Sequence, residues 1–275
     1  MGKCKYCGKD AGLFHSSHPQ CEAAFEQGKN ELSSILYDCF AHKTDFYLKD
    51  QDMKRITSQA YLNSDALRKL YVSVFDNAIE QYLDDGIIDQ QEERVVARYM
   101  QYTGLNQETL NTNKSLEKVV QSKVLQDILQ GNKPIPRITI KGDFPFMLSK
   151  SESIVWLFRN ITLHQQKVKR EYVGRTGGFS FKVMKGVYYR TGGFKGHPIE
   201  TTVMQRIDTG NVCLTDKNLY FASPMKSLKI PYNKILSIES YLNGIGIQKD
   251  GTNDKPIFLE GLDSWFCYNV IANLK

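Results

Sequence analysis

The first two dozen residues carry two closely spaced pairs of metal-binding side chains. Cys4 and Cys7 form a Cys-x-x-Cys pair, and His18 and Cys21 form a His-x-x-Cys pair one loop later. Thiolate sulfur and neutral imidazole suit Zn²⁺, and a structural zinc site uses four protein ligands in tetrahedral geometry. The two pairs therefore predict one structural zinc site. Because so short a segment buries little core, metal binding would supply much of its folding free energy, on the order of 10 kcal/mol.

The residues beside the ligands predict how the backbone presents them. Gly8 follows Cys7 directly and permits the tight turn of a metal-binding knuckle. Pro19 suits a first helical position, which would place His18 and Cys21 on one face of a helix's opening turn. This order of knuckle and helix resembles treble-clef and short zinc-ribbon modules.

Three alternatives apply to these ligands. His15 competes with His18 as the third ligand, but it lies in the loop, where no helical spacing ties it to Cys21. The cysteines could also be unrelated buried thiols or a redox disulfide pair. A second ligand pair at a plausible spacing argues against both of these, and His18 is the preferred histidine.

Length and apolar pattern place broad limits on the chain. With 275 residues it is long enough for two substantial domains beside the metal module. The sequence shows no apolar run of membrane-spanning length and no apolar signal segment at its start. Together with metal-binding thiols, this predicts a cytoplasmic protein. Cys39, Cys213 and Cys267 lie in apolar patterns and are expected in the core.

Charge is unevenly distributed along the sequence. Residues 1–135 contain 16 Lys and Arg against 19 Asp and Glu, whereas residues 136–275 contain 20 against 11. An anionic partner is therefore expected to meet the C-terminal half.

The middle of the chain shows the apolar spacing of amphipathic helices. Together with a boundary at the prolines of residues 132–138, this spacing predicts a zinc-binding module running into a helix at residues 1–45 and an all-α helical domain at residues 46–135. The predicted helices cover Pro19–His42, the stretches around Leu67–Ile79 and Val95–Met100, and Ser115–Gln130.

The acidic segment Leu83–Glu93 invites comparison with a calcium-binding EF-hand loop. Aligning Gly86 and Glu92 with the loop's glycine and closing carboxylate places Gln81 and Leu83 at two ligand positions. Neither position then offers a carboxylate, so a calcium site is disfavoured.

A structural interpretation fits this segment better. Gly86 makes a turn, Ile88 packs into the core, and Asp89 with Glu92 forms a capping box for the next helix. The aspartate-glycine turn before an acidic helix start resembles the TerB-like tellurite-resistance family over residues 50–132. The resemblance implies a helical scaffold in bacterial stress or phage-response contexts, with no defined reaction.

After Ile138 the apolar period changes from helical spacing to the alternation of strands. Turn pairs such as Thr209-Gly210 and Asp216-Lys217 separate the strands, and a helix begins near Asp263. The pattern predicts a half-open β-barrel plugged by a terminal helix at residues 141–275. The predicted strands are Ile154–Phe158, Phe179–Val183, Gly186–Arg190, Ile199–Arg206, Asn211–Thr215, Asn218–Ala222, Lys226–Ile230, Ile235–Tyr241, Ile245–Lys249 and Pro256–Glu260.

Three segments of this region carry a family resemblance. Gly210–Phe221, Lys229–Tyr232 and Ile235–Glu239 resemble the bacterial PH-like and GRAM families, and the resemblance covers residues 145–275. It implies a PH-like β-barrel with a capping C-terminal helix, and a domain that binds phospholipid head groups, peptides or other subunits. The predicted fold class is therefore an α+β multidomain protein.

A repeated Arg-Thr-Gly-Gly-Phe motif marks a basic segment within this region. In one interpretation, the exposed backbone N–H groups of the glycines and the neighbouring cations bind phosphate. In the alternative, the segment is a hairpin whose basic residues form a solvated face. The candidate anion-binding residues are Arg175, Lys182, Lys185, Arg190 and Lys195.

No catalytic constellation or small-molecule substrate site is visible in the sequence, and four protein ligands leave zinc no open position. The favoured function is a non-enzymatic adaptor of bacterial, plasmid or phage origin, with a protein partner for its zinc and helical modules. Its PH-like domain would dock on an anionic membrane surface, peripherally, or on another protein.

The alternative function is a zinc-dependent regulator that binds nucleic acid. The zinc module argues mildly against it, because its basic residues are balanced by acidic ones and form no extended basic face. The balanced residues are Lys3, Lys5 and Lys9 against Asp10, Glu22 and Glu26.

Overall fold

The computed structural model divides the chain into two compact units, Met1–Gln130 and Gly131–Lys275. It describes residues 2–275 except 85, 136, 177–178, 185–186, 192–193 and 252–253, and within residues 168–202 it describes the backbone alone.

The first unit is a small hairpin followed by helices. Strands β1 and β2 pair antiparallel, and the predicted helices at α1, α3, α4 and α6 are confirmed. Helix α2 and the short helix α5 were not predicted. The elements are β1 (Gly2–Lys3), β2 (Asp10–Gly12), α1 (Pro19–Ala41), α2 (Asp50–Gln59), α3 (Ser64–Tyr82), α4 (Gln90–Thr103), α5 (Gln107–Leu110) and α6 (Ser115–Leu129).

An aromatic cluster forms the centre of this unit's core. The ring of Phe40 on α1 lies 5.3 Å from that of Phe46 and 4.9 Å from that of Tyr99 on α4. The buried hydroxyls are satisfied, because Tyr99 donates to the Tyr71 carbonyl and Tyr82 donates to the Phe40 carbonyl. Burying each large side chain contributes about 1.5–3 kcal/mol, so this cluster holds the helices together.

The turn before α4 confirms the structural interpretation of the acidic segment. Gly86 has a φ of +92°, and Ile88 is buried. Asp89 and Glu92 make the predicted capping box, each side chain accepting from the other residue's backbone N–H. Lys43 then ion-pairs with both carboxylates, at 3.0 and 3.2 Å.

The second unit contains an antiparallel sheet of seven strands in the order β8-β7-β6-β3-β11-β10-β9, with β4 and β5 forming a separate hairpin. The last helix, α7, is confirmed. The elements are β3 (Ile154–Thr176), β4 (Phe179–Met184), β5 (Val187–Thr191), β6 (Phe194–Thr215), β7 (Asn218–Ala222), β8 (Ser227–Pro231), β9 (Ile235–Tyr241), β10 (Gly244–Lys249), β11 (Ile257–Glu260) and α7 (Ser264–Leu274).

The predicted barrel is corrected to an open sheet. Within the described residues, β8 and β9 are the two edge strands and do not pair with each other. Helix α7 packs on the sheet through Phe266, whose ring lies 5.2 Å from Trp156 and 6.2 Å from Phe158. Alternation along the sequence indicates strands, but it carries no information on whether the sheet closes.

The predicted turn at Thr209-Gly210 is wrong, because β6 runs through it without interruption. Gly210 lies opposite Ile161 of β3, and a Cβ atom there would lie 2.1 Å from the Ala222 carbonyl oxygen. Glycine is present here because two backbones approach closely. The turn Asp216-Lys217 between β6 and β7 is confirmed.

Candidate metal centre

The structure brings Cys4, Cys7, His18 and Cys21 together, with all four ligand atoms within 4.8 Å of one another. The His18 Nδ1 atom lies 3.5 Å from the Cys7 sulfur and 3.7 Å from the Cys21 sulfur. A tetrahedral ion with a Zn–S distance of about 2.3 Å and a Zn–N distance of about 2.0–2.1 Å separates its S and N ligands by about 3.5 Å. The spacing of the donors therefore fits Zn²⁺.

The β1–β2 hairpin presents the first ligand pair. The Cys4 N–H donates to the Lys9 carbonyl at 2.7 Å, and the Gly8 N–H donates to the Cys4 carbonyl at 2.9 Å. Gly8 has a φ of +73°, as the predicted knuckle requires. These bonds fold the turn so that Cys4 and Cys7 face the same point.

Helix α1 presents the second pair. His18 is its N-cap residue and Pro19 its first helical residue, as predicted. Cys21 follows within the opening turn, so both side chains leave the same end of the helix. The β1–β2 hairpin and α1 therefore contribute two residues each to the cluster.

The structure places His18, and not His15, within the cluster that could hold a metal ion. Its Nε2 atom lies 2.9 Å from the Asp10 carbonyl oxygen. Since a carbonyl only accepts, Nε2 carries the proton, and Nδ1 is left with its lone pair directed at the sulfurs. His15 is exposed and lies outside the cluster. The carbonyl of Asp10, which no sequence pattern pointed to, thus sets the tautomer of His18.

The sulfur atoms lie so close together that neighbouring thiolates repel one another. Burial raises the pKa of the Cys4 thiol, but backbone hydrogen bonds from Cys7, His18 and Tyr6 outweigh it and lower that pKa to about 6. At Cys21, burial and then the neighbouring sulfurs of Cys7 and Cys4 raise the pKa to about 11. A second thiolate must form against the charge of the first, and a divalent cation removes that conflict.

The remaining cysteines behave as expected. Cys39, Cys213 and Cys267 are buried, and burial raises the pKa of the Cys213 thiol to about 12. All six cysteines are free, which gives the disulfide alternative no support.

The predicted anion-binding residues lie outside the side chains that the structure describes. Lys185 is outside it altogether, and only the backbone is described for Arg175, Lys182, Arg190 and Lys195. The backbone pairs Arg175 with Lys195 across β3 and β6. Anion binding by these residues stays a prediction.

Next to the metal cluster lies a groove that the sequence did not predict. Its cavity of about 780 Å³ is lined by Tyr6 of the knuckle, Phe25 of α1 and Tyr61, among others. The Tyr6 and Phe25 rings are 4.9 Å apart. The metal-binding turn therefore forms one wall of the groove.

The fold and the site together define a chain of helices and an open antiparallel sheet, with a Cys₃His cluster able to hold a metal ion. No protein-family model matches this chain, and neither does any curated protein or solved structure. None of the helices in the described part of the chain has the length and apolar character needed to cross a membrane. Function must therefore be inferred from the site's own geometry.

Proposed function

We propose that this chain is a non-enzymatic adaptor whose N-terminal module is held by a structural Zn²⁺. The closed donor set carries the proposal, because Cys4, Cys7, His18 and Cys21 supply four ligands within 4.8 Å of one another. Four protein ligands leave no position for water or substrate. The metal would cross-link the β1–β2 hairpin to α1, and the Asp10 carbonyl would keep His18 in the ligating tautomer.

The topology of the second unit supports a PH-like assignment. Counted in chain order from β3, and leaving out the β4–β5 hairpin, its seven sheet strands lie in the order four, three, two, one, seven, six, five. Two antiparallel meanders joined through their first and last strands, with a helix after the last, agree with the PH-like resemblance. This assignment favours docking on anionic lipid head groups or on a protein partner.

The helical part of the first unit is proposed as a TerB-like scaffold that contacts a protein partner. Its support is the turn at Gly86 followed by the acidic first turn of α4, the features on which the resemblance rests. A bacterial stress or phage-response role follows from that resemblance.

Binding measurements with matched variants test the docking proposal. Zinc-loaded protein is sedimented with phosphatidylserine-containing vesicles and with neutral phosphatidylcholine vesicles, and is mixed with duplex DNA, over a salt series. One variant neutralises Lys182, Lys185 and Arg190. The control neutralises Lys226, Lys234 and Lys255, which are exposed elsewhere in the same unit.

Salt-sensitive retention on the anionic vesicles, lost in the first variant and kept in the control, would support membrane docking. Retention on DNA with a steep salt slope would instead support the nucleic-acid regulator. If the protein binds neither, the lipid proposal is wrong and a protein partner is the remaining candidate.

A further inference from the structure

Helix α2 ends in a Schellman motif with an unusual residue at its left-handed position. The Leu62 N–H donates to the Thr57 carbonyl at 3.1 Å, and the Tyr61 N–H lies 3.4 Å from the Ser58 carbonyl oxygen. Tyr61 has a φ of +55°. Glycine normally occupies this position, because a Cβ atom is strained there.

Other helices in the same unit show what a non-glycine residue is used for at this position. Gly104 follows α4 and Gly131 follows α6, both with left-handed φ. After α1 the position belongs to Lys43, with a φ of +54°, and its ammonium ion-pairs with Asp89 and Glu92. There the strained backbone aims a side chain at a specific partner.

The packing of α2 on α1 places Tyr61 beside the metal-binding turn. A Cβ atom on Gly28 would lie only 2.2 Å from the Cβ of Ala60, so the end of α2 sits directly on α1. Cys21 precedes Gly28 by seven residues, or two helical turns, and lies on the same face of α1. Tyr61, the residue after Ala60, shares a cavity with Tyr6, which lies between Cys4 and Cys7.

The electrostatic environment of the Tyr61 hydroxyl agrees with this placement. The negative charge of the Cys21 sulfur, followed by burial and by the charge of Cys7, raises the pKa of the phenol. The phenol of Tyr61 therefore lies within interaction distance of the Cys21 and Cys7 sulfurs.

We propose that Tyr61 is a positioning residue of the metal centre, whose hydroxyl donates a hydrogen bond to the Cys21 thiolate. This inference rests on the zinc centre proposed above. Three thiolates, one neutral imidazole and a divalent cation leave one net negative charge, which hydrogen-bond donors stabilise. The backbone N–H of His18 already donates a hydrogen bond to the Cys4 sulfur, at 3.4 Å. The Tyr61 hydroxyl would donate a hydrogen bond to the Cys21 sulfur in the same way. This bond would link the metal centre to the turn between α2 and α3.

Cobalt(II), used as a spectroscopic probe in the full-length chain, tests this role. Tyr61→Phe keeps the ring and the backbone strain and removes only the hydroxyl. It should weaken Co²⁺ binding about tenfold, as expected for loss of an outer-shell partner. It should also shift the thiolate-to-cobalt charge-transfer band to lower energy, because the sulfur loses a donor. Tyr47→Phe, at a half-exposed tyrosine of the same unit, is the control and should change neither value.

Tyr61→Gly separates the metal role from a purely structural one. Glycine relieves the strain at φ +55°, so the metal-free variant should unfold at or above the wild-type midpoint while binding Co²⁺ more weakly. Wild-type affinity and an unchanged band in Tyr61→Phe would overturn the role of Tyr61 and leave the metal centre intact. A wild-type chain that binds no Co²⁺ would overturn the metal centre itself, and the role of Tyr61 with it.

Discussion

At Gly210 the backbones of β6 and β7 come so close that a side chain does not fit. A Cβ atom would meet the Ala222 carbonyl oxygen at 2.1 Å, and that backbone atom cannot easily move. Gly210→Ala should therefore lower the free energy of unfolding of the second unit by about 1–3 kcal/mol, as overpacking does. Urea unfolding followed by tryptophan fluorescence measures this, since both tryptophans, Trp156 and Trp265, lie in that unit.

Gly246→Ala is the matched control for this prediction. Its nearest neighbour would be the ring of Tyr241, at 3.2 Å, and a side chain can shift where a backbone cannot. Gly246→Ala should therefore lower the free energy of unfolding clearly less than Gly210→Ala. Equal losses at the two glycines would contradict the close-approach explanation for Gly210.

Glu152 is a carboxylate whose contribution to stability should depend on pH. Its Oε2 accepts from the Tyr220 hydroxyl at 2.8 Å, and Lys229 lies 3.4 Å from its Oε1. Burial raises the pKa of Glu152, but hydrogen bonds from Tyr220, Ser149 and Lys229 outweigh it and lower that pKa. The stabilisation is therefore present above the unfolded pKa of about 4.3 and is lost as pH falls through the folded value.

Glu152→Gln should accordingly destabilise the second unit by about 2 kcal/mol at neutral pH. The deficit should shrink as the pH is lowered below about 4, where the wild-type carboxylate is itself protonated. Urea titrations at a series of pH values measure this difference. A deficit that is the same at every pH would show that shape, and not charge, is what Glu152 contributes.

The cluster of Cys4, Cys7, His18 and Cys21 could be predicted from residue type and spacing, but its internal arrangement could not. Cys4, Cys7 and Cys21 stand out because thiol pairs at short spacing are informative in themselves. The structure places His18 and not His15 in the cluster, and the Asp10 carbonyl that orients the His18 ring is a backbone group with no sequence signature. Tyr61 gave no signal either, because a tyrosine at a glycine position is visible only in the backbone angles.

Among the elements, the turn into α4 offers a test between two interpretations of one acidic segment. Asp89 caps the helix and ion-pairs with Lys43 at 3.0 Å. Asp89→Ala should lower the free energy of unfolding of the first unit by about 1 kcal/mol, the usual cost of losing an N-cap. Far-UV circular dichroism during urea unfolding follows these helices, and Asp84→Ala, at an exposed turn residue, is the control.

Calcium distinguishes the capping box from an EF-hand loop in the same experiment. Saturating Ca²⁺ should leave the wild-type unfolding midpoint unchanged, since only a bound ligand stabilises the folded state. A midpoint that rises with Ca²⁺ concentration would contradict the capping interpretation.

Elements were predictable where their apolar pattern was strong. Helix α2 was missed because only Met53 and Ile56 of its ten residues are buried. Strand β3 was predicted to end at Phe158 but continues to Thr176. Apart from the buried Ile161 and Leu163, this continuation is mostly polar and basic. Gly210 was predicted to lie in a turn because glycine is common in turns. In the structure it lies inside β6, where tertiary packing requires a residue without a side chain.

For the whole molecule, the division into two units predicts where metal removal acts. All four ligands belong to Met1–Gln130. Chelation should therefore destabilise the first unit, seen by circular dichroism of its helices. The tryptophan-detected unfolding of Gly131–Lys275 should stay unchanged. A chelation-induced shift of the tryptophan transition would contradict this assignment of the metal to the first unit alone.

The sequence predicted the antiparallel strands and the terminal helix, but it could not predict whether the sheet closes into a barrel. Alternating strands and a terminal helix were visible in the sequence, and both are present. Whether the sheet closes depends on pairing between its edge strands β8 and β9, which lie next to each other in the chain but at opposite edges of the sheet. Such long-range geometry is not encoded in local periodicity.

X-ray absorption at the zinc edge, together with the metal content, would show directly whether Cys4, Cys7, His18 and Cys21 hold a structural Zn²⁺. We expect one zinc per chain, with three sulfur ligands at about 2.3 Å and one nitrogen ligand at about 2.0–2.1 Å. The metal should be retained in His15→Ala and weakened or lost in His18→Ala. Absence of zinc, a different ligand set, or dependence on His15 in place of His18 would contradict this expectation.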